Sequence, residues 1–147
     1  MVSALKSLHE TADFWLLLPI KQLTYVNATI ENLSEQVRNA QLIFGGSGDT
    51  SELVAAVKTC PDFAELIQGK VYAGSSAGAY LVATKYFSND NQEIRDGVGV
   101  LPIAIVGHID NKDFCPDQQL ATTAVKTAGK DLEVVILKDY EWIVREQ

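Results

Sequence analysis

The chain has few of the residues on which several classes of protein depend. It contains two cysteines, Cys60 and Cys115, too few for a disulfide framework and not spaced like metal ligands. We therefore expect two free thiols in a reducing compartment. There is no run of lysine or arginine, and the formal net charge is −7. Nucleic acids and anionic membrane surfaces are accordingly poor candidate partners.

Long apolar segments are also missing from the sequence. The longest one, residues 14–20, is interrupted by Pro19 and is far too short to span a bilayer. The N-terminus carries His9 and Glu10 instead of a basic start followed by an apolar block, so it does not resemble a signal peptide. We expect a soluble cytoplasmic protein with no membrane partner.

The composition that is present suits an ordinary folded domain. The chain has 147 residues, of which 47% are hydrophobic and 21% charged, which predicts one domain over residues 1–147. Short apolar runs lead repeatedly into glycines or polar residues and then into helical patterns. This alternation predicts an α/β fold with a mostly parallel sheet flanked by helices. In such folds, sites form in the loops at the carboxyl ends of the strands.

Individual elements follow from the same patterns. Strands are predicted at residues 25–26, 42–44, 71–73, 98–106, 133–137 and 142–144. Helices are predicted at residues 34–39, 76–86 and 117–128, and after Thr50, which is a plausible N-cap. Pro102 cannot donate a hydrogen bond, so it is expected near an edge or an irregularity of its strand.

The most informative stretch is Gly74-Ser75-Ser76-Ala77-Gly78, between a predicted strand and a predicted helix. It fits the Gly-x-Ser-x-Gly nucleophile elbow, whose glycines relieve crowding while the central hydroxyl is lifted clear of the backbone. By this spacing Ser76 is the candidate nucleophile. Ser75 is not, because its neighbours two places away are alanines. A tight turn rich in small residues would also explain the pattern.

A serine nucleophile needs a base to take its proton, and histidine is the usual one. The chain has two histidines. His9 lies in a polar, helix-like segment and is interpreted as a surface residue. His108 follows an apolar strand through Gly107, which makes it the candidate base, although a structural role would also suit a histidine at a strand end.

The third member of a triad would be a carboxylate that orients the imidazole. Asp110 and Asp113 are too close in sequence to His108 to have the right reach. Asp139 follows the strand at 133–137, and Glu141 is the near alternative. Lys138 and Asp139 could also form a simple polar turn.

An oxyanion hole combines the N–H after the nucleophile with a second backbone N–H from a glycine loop. Ala77 would supply the first, and the loop that begins Gly45-Gly46 the second. Taken alone, that loop could instead hold a phosphate at a helix N-terminus. It lacks the lysine of a P-loop, which weakens the nucleotide interpretation.

These segments, in this order, resemble the peptidase E family of serine peptidases, which includes aspartyl dipeptidase and cyanophycinase. The resemblance covers roughly residues 23–144. It implies a three-layer sandwich related to the class I glutamine amidotransferases (flavodoxin-like), shortened here at both ends. It also implies Ser76 as nucleophile, His108 as base, Asp139 as acid, and the backbone of Gly46 and Ala77 as oxyanion hole.

The same resemblance implies cleavage of small peptides by acyl transfer, next to aspartate, without a metal or an organic cofactor. One departure is that Ser47, Gly48 and Asp49 stand where the family usually has a Gly-Gly-Asn-Thr type loop. Two alternatives therefore stay open. The chain could be an esterase-type acyl hydrolase with the same triad, or an inactive, shortened relative that serves as a binding or assembly module. A homodimer is expected if a sheet edge is left uncovered.

Overall fold

The computed structural model describes residues 2–4 and 24–146. The chain divides into two units, Met1–Ala79 and Tyr80–Gln147, called here the N-terminal and C-terminal units. Each unit contains one four-stranded sheet. The assignment of residues 1–147 to a single domain stays a prediction.

The N-terminal unit is built on a parallel sheet with the strand order β2-β1-β3-β4. Its strands are β1 (Val2–Ala4), β2 (Tyr25–Val26), β3 (Leu42–Gly45) and β4 (Val71–Gly74). Its helices are α1 (Leu33–Asn39), preceded by a 3₁₀ turn at Ile30–Asn32, then α2 (Thr50–Lys58) and α3 (Phe63–Leu66). The last paired residues of β3 and β4 are Gly45 and Gly74, so the segments that follow them start at the same sheet edge.

Helix α2 begins one residue earlier than a Thr50 cap would require. The N-cap is Asp49, whose carboxylate accepts hydrogen bonds from the backbone N–H groups of Ser51 at 2.7 Å and Glu52 at 3.0 Å. The prediction of Thr50 as the cap was therefore wrong. An aspartate in the extended conformation satisfies two of the unpaired N–H groups that open a helix, and its charge suits the helix dipole.

The C-terminal unit is built on a sheet with the strand order β6-β5-β7-β8, in which only the β5–β6 pair is antiparallel. Helix α4 (Ala77–Val82) leads into it from β4. The strands are β5 (Ala83–Ser88), β6 (Glu93–Asp96), β7 (Leu101–Val106) and β8 (Glu133–Ile136), with α5 (Gln118–Ala128) between the last two. The core of the unit is formed by the fully buried side chains of Phe87, Ala104, Val106, Cys115, Ala121 and Val125.

The predicted helix at residues 76–86 was too long. The helix ends at Val82, and the next six residues form β5, which pairs with β6 and β7. Most of β5 is buried, with Tyr86 at 2% exposure and Phe87 at 0%. Aromatic residues in a central strand gain more from packing than a weak helical pattern can offset.

The predicted strand at residues 142–144 was also wrong. These residues adopt no regular structure, and the side chains of Trp142 and Val144 are 81% and 73% exposed. Apolar, β-branched composition does not make a strand by itself; it needs a neighbouring strand to pair with. Pro102, in contrast, lies where the β5–β7 register shifts, as its missing N–H requires.

Among the helices that the structure describes, none has both the length and the apolar character required to cross a bilayer. The apolar run at residues 14–20 and His9 lie outside the described residues.

Candidate active site

Ser76 lies in the tight turn between β4 and α4. Its φ angle is 51°, in the left-handed region that residues other than glycine seldom adopt. The turn is closed by two backbone hydrogen bonds, from Gly78 to the carbonyl of Ser75 at 3.0 Å and from Ala79 to the carbonyl of Ser76 at 2.9 Å. A strained, non-glycine residue in a strand-to-helix turn is the geometry expected of a nucleophile elbow.

The glycines around Ser76 are required by close approach of the backbone. A Cβ atom at Gly74 would lie 2.7 Å from the carbonyl carbon and oxygen of Gly78. A Cβ atom at Gly78 would overlap the main chain of Gly45 in the neighbouring strand. Side chains at these positions would push β3, β4 and the start of α4 apart, so the glycines allow the elbow to form.

The hydroxyl of Tyr72 supports the elbow from within the N-terminal unit. It donates a hydrogen bond to the carbonyl of Gly78 at 2.7 Å and fills the space next to Gly45. The residue as a whole keeps some exposure, but burial of its hydroxyl end raises the pKa of Tyr72. The phenol therefore stays protonated and remains a donor at neutral pH.

Replacing Tyr72 with phenylalanine is expected to lower the free energy of unfolding by about 1 kcal/mol, because the buried Gly78 carbonyl loses a donor. Urea denaturation would measure the loss. Tyr25→Phe is the matched control, since the Tyr25 side chain is exposed and its hydroxyl donates to the nearby Asn27 at 2.6 Å. Equal stability of the two variants would contradict a supporting role for Tyr72.

The glycine loop after β3 is attached to the elbow by two main-chain hydrogen bonds. Ser75 donates to the carbonyl of Gly45 at 2.8 Å, and Gly78 donates to the carbonyl of Gly46 at 3.0 Å. Gly46 and Ala77, the two predicted contributors to an oxyanion hole, thus belong to directly bonded stretches of the N-terminal unit. Asp49 in the same loop uses its carboxylate to cap α2.

His108 follows β7 in the C-terminal unit, with Gly107 between them. Its φ angle is 58°, so the second candidate catalytic residue also has a strained backbone. Gly107 is held on both sides: its N–H donates to the hydroxyl oxygen of Tyr80 at 2.8 Å, and its carbonyl accepts from Asn89 at 3.3 Å. Burial is the main cause that raises the pKa of Tyr80 to about 12, so this phenol is neutral at physiological pH.

Asp139 lies beside His108 because β7 and β8 are parallel neighbours. Val106 pairs with Ile136 at the ends of the two strands, and each functional residue follows shortly after. The distance between His108 Nδ1 and Asp139 Oδ1 is 2.5 Å. The alternative acid, Glu141, accepts a hydrogen bond from the backbone N–H of Lys138 at 2.9 Å. Of the two candidates, Asp139 is the one hydrogen-bonded to the imidazole.

Two further contacts hold Asp139, both from the segment just after His108. Asn111 Nδ2 donates to Asp139 Oδ2 at 2.8 Å, and the backbone N–H of Asp139 donates to Asp110 Oδ1 at 2.9 Å. The hydrogen bond from Asn111, followed by that from His108, lowers the pKa of Asp139. The carboxylate therefore stays ionised at neutral and mildly acidic pH, as required of a group that orients an imidazole.

Sequence reasoning set Asp110 aside as a triad acid and did not identify Asn111. Both form a hydrogen bond with Asp139. Phe114 was missed as well; its ring lies 5.0 Å from the imidazole of His108, centroid to centroid. The only sequence signal for these contacts was the dense run of polar residues directly after a strand-end histidine.

A guanidinium group is the usual partner of a substrate carboxylate, and the sequence contains three arginines. Each of them pairs with a carboxylate of its own unit. Arg38 contacts Asp62 at 3.1 Å and Arg95 contacts Glu93 at 2.8 Å. Arg145 pairs with Glu133. All three pairs are exposed or nearly so, where such contacts contribute little to stability.

The model of peptidase family S51 matches residues 5–147. The chain belongs to peptidase family S51. The resemblance to peptidase E that the sequence motifs indicated is thereby confirmed. No curated protein matches the sequence.

A solved structure shows the same fold for this S51 chain. It is a protein from Listeria monocytogenes EGD-e assigned to peptidase E, with 18% sequence identity and a TM-score of 0.61. The match covers 80% of this chain and 63% of that one. The S51 chain thus spans less than two thirds of the length of that structure. The predicted α/β fold, with mostly parallel strands flanked by helices, is confirmed.

Proposed function

We propose that this chain is a serine peptidase that hydrolyses small peptides through an acyl-enzyme. The observation that supports the proposal most is the 2.5 Å contact between His108 Nδ1 and Asp139 Oδ1. A carboxylate bound to Nδ1 selects the tautomer in which Nε2 can accept a proton. Membership of a family of serine peptidases and the strained turn at Ser76 point to the same chemistry.

In the proposed reaction, Ser76 Oγ attacks the carbonyl carbon of the scissile bond while His108 Nε2 takes the hydroxyl proton. The oxyanion that forms is held by the backbone N–H groups of Gly46 and Ala77. The imidazolium then gives its proton to the leaving amine, and the C–N bond breaks to leave an ester on Ser76. Water, deprotonated by His108, hydrolyses this ester and releases the acid.

Asp139 orients the imidazole and stabilises its protonated form without taking the proton itself. Its lowered pKa supports this role, since a protonated acid could not counter the positive charge on His108. No metal or organic cofactor takes part in the proposed steps. The substrate class is a small peptide cleaved next to aspartate.

The test is hydrolysis of a set of dipeptides that differ only at the N-terminal residue: aspartate, asparagine, glutamate and alanine. We expect the aspartyl peptide to be cleaved with a kcat/KM at least roughly tenfold above the asparaginyl peptide, because only the former carries the recognised charge. p-Nitrophenyl acetate and butyrate would be assayed in parallel.

Each other outcome identifies a different function. Hydrolysis of esters without any peptide would support the esterase alternative. A folded protein that cleaves neither class of substrate would support the binding or assembly module. The cytoplasmic location and the homodimer stay predictions.

A further inference from the structure

Asn111 contacts the oxygen of Asp139 that the imidazole does not use. Asp139 Oδ1 lies 2.5 Å from His108 Nδ1, and Asp139 Oδ2 accepts a hydrogen bond from Asn111 Nδ2 at 2.8 Å. A free carboxylate rotates readily about its last torsion and offers either oxygen to a partner. With one oxygen bound to Asn111, the carboxylate plane is fixed and the other oxygen points at the ring.

The side-chain amide of Asn111 is itself oriented. Its oxygen accepts a hydrogen bond from the backbone N–H of Asp113 at 3.0 Å, which assigns the nitrogen to the side of Asp139. The donor that holds the acid therefore has a single orientation set by the local turn.

The backbone of Asn111 connects the base to the core of the C-terminal unit. Its N–H donates to the carbonyl of His108 at 3.0 Å, and its carbonyl accepts from Cys115 at 2.7 Å. Cys115 is fully buried among the core side chains. Asn111 thus forms hydrogen bonds with the main chain of His108, the side chain of Asp139 and the main chain of the buried Cys115.

We propose that Asn111 is a positioning residue of the active site. It holds the carboxylate of Asp139 in the orientation in which Oδ1 faces His108 Nδ1. Asp110 assists, because its Oδ1 accepts a hydrogen bond from the backbone N–H of Asp139 at 2.9 Å. This inference rests on the proposed function, since it assigns Asn111 a part in the same acid–base pair.

Asp139 needs a positioning contact of this kind because of where it lies in the unit. The side chain is 28% exposed and lies in a loop after an edge strand, so packing alone does not fix it. The titratable groups around it are His108, Asp110, the adjacent Lys138, and Glu141, which contacts the backbone of Lys138. Asp110 and Glu141 carry negative charge and cannot donate to a carboxylate. Asn111 supplies the second side-chain donor to it.

The test replaces Asn111 with aspartate, which keeps the shape and the oxygen that accepts from Asp113 but removes the donor. Asn91→Asp is the matched control. It makes the same chemical change in the same unit, at an exposed amide that contacts Ser88 instead. Asn111→Ala tests the loss of the donor without adding a charge.

Two measurements are made on each variant: the ¹³C NMR titration of the Asp139 carboxyl group and the steady-state kinetics. For Asn111→Asp and Asn111→Ala we expect the Asp139 midpoint to move to higher pH. We expect kcat to fall roughly tenfold with KM changed by less than about twofold, as for loss of one hydrogen bond to a charged group. Asn91→Asp should match the wild type in both measurements.

The NMR titration and the kinetics together distinguish this inference from the proposed function. An unchanged Asp139 midpoint in both Asn111 variants would overturn the positioning role, whatever the activity. A shifted Asp139 midpoint in a protein that cleaves no peptide would support the positioning role of Asn111 and contradict the proposed peptidase function. A purely structural role would lower stability without moving the midpoint in the folded protein, and would also overturn the proposal.

Discussion

Replacing Ser76 with alanine is expected to remove all reaction with a fluorophosphonate and to lower kcat by roughly 10⁵–10⁶-fold, the scale for loss of the nucleophile in a serine protease. Intact-mass spectrometry would show one adduct on the wild type and none on the variant. The reason is the geometry of the elbow, where the φ angle of 51° turns Ser76 out of the strand direction.

Ser75→Ala is the matched control, since it removes the neighbouring hydroxyl from the same turn. The backbone N–H of Ser75 donates to the carbonyl of Gly45 at 2.8 Å, a bond that alanine would keep. We expect this variant to be labelled at the wild-type rate. An adduct that persists in Ser76→Ala but disappears in Ser75→Ala would show that the nucleophile had been assigned to the wrong serine.

Ser76→Gly separates the hydroxyl from the strained backbone. Because glycine adopts positive φ without a steric penalty, this variant should be more stable than Ser76→Ala by about 1 kcal/mol while being equally inactive. Thermal or urea unfolding of the two inactive variants would measure the difference. Equal stability would mean that the turn stores no strain.

The elbow could be predicted because its signal is local. Gly74, Ser76 and Gly78 are two residues apart, and the reasons for each residue type act within one strand-to-helix turn. The positions of His108 and Asp139 at strand ends were predictable from the apolar runs before them. That they share one sheet edge follows from parallel pairing of β7 and β8.

The positioning contacts could not be predicted because they depend on tertiary pairing. Asn111 and Asp139 are 28 residues apart, and nothing in either segment specifies that an amide will meet the second carboxylate oxygen. For the same reason β5 was taken for a helix, since its neighbours β6 and β7 decide its conformation. Sequence patterns indicated where strands end, but not which side chains would meet there.

Replacing Asp139 with asparagine is expected to lower kcat by roughly 10³–10⁴-fold, which is more than removal of a simple hydrogen bond would cause. The reason is the hydrogen bond that Asn111 donates to the Asp139 side chain. Asn111 donates to one oxygen of Asp139, so an amide at this position would keep its own oxygen towards Asn111. Its NH₂ group would then face His108 Nδ1 and donate to it. That nitrogen would become an acceptor, and the proton would move to Nε2, where it blocks general-base catalysis.

The matched control is Asp110→Asn, which changes the charge by the same amount near the same loop. An asparagine there keeps a carbonyl oxygen that can accept from the backbone N–H of Asp139, so we expect less than a fivefold loss of kcat, about 1 kcal/mol. The ¹⁵N NMR shifts of the imidazole would report the tautomer directly, with His9→Gln used to remove the other histidine signal. If His108 in Asp139→Asn keeps its proton on Nδ1 and kcat matches that of Asp110→Asn, then Asp139 does not control the tautomer, and its assignment as the third member of the triad is wrong.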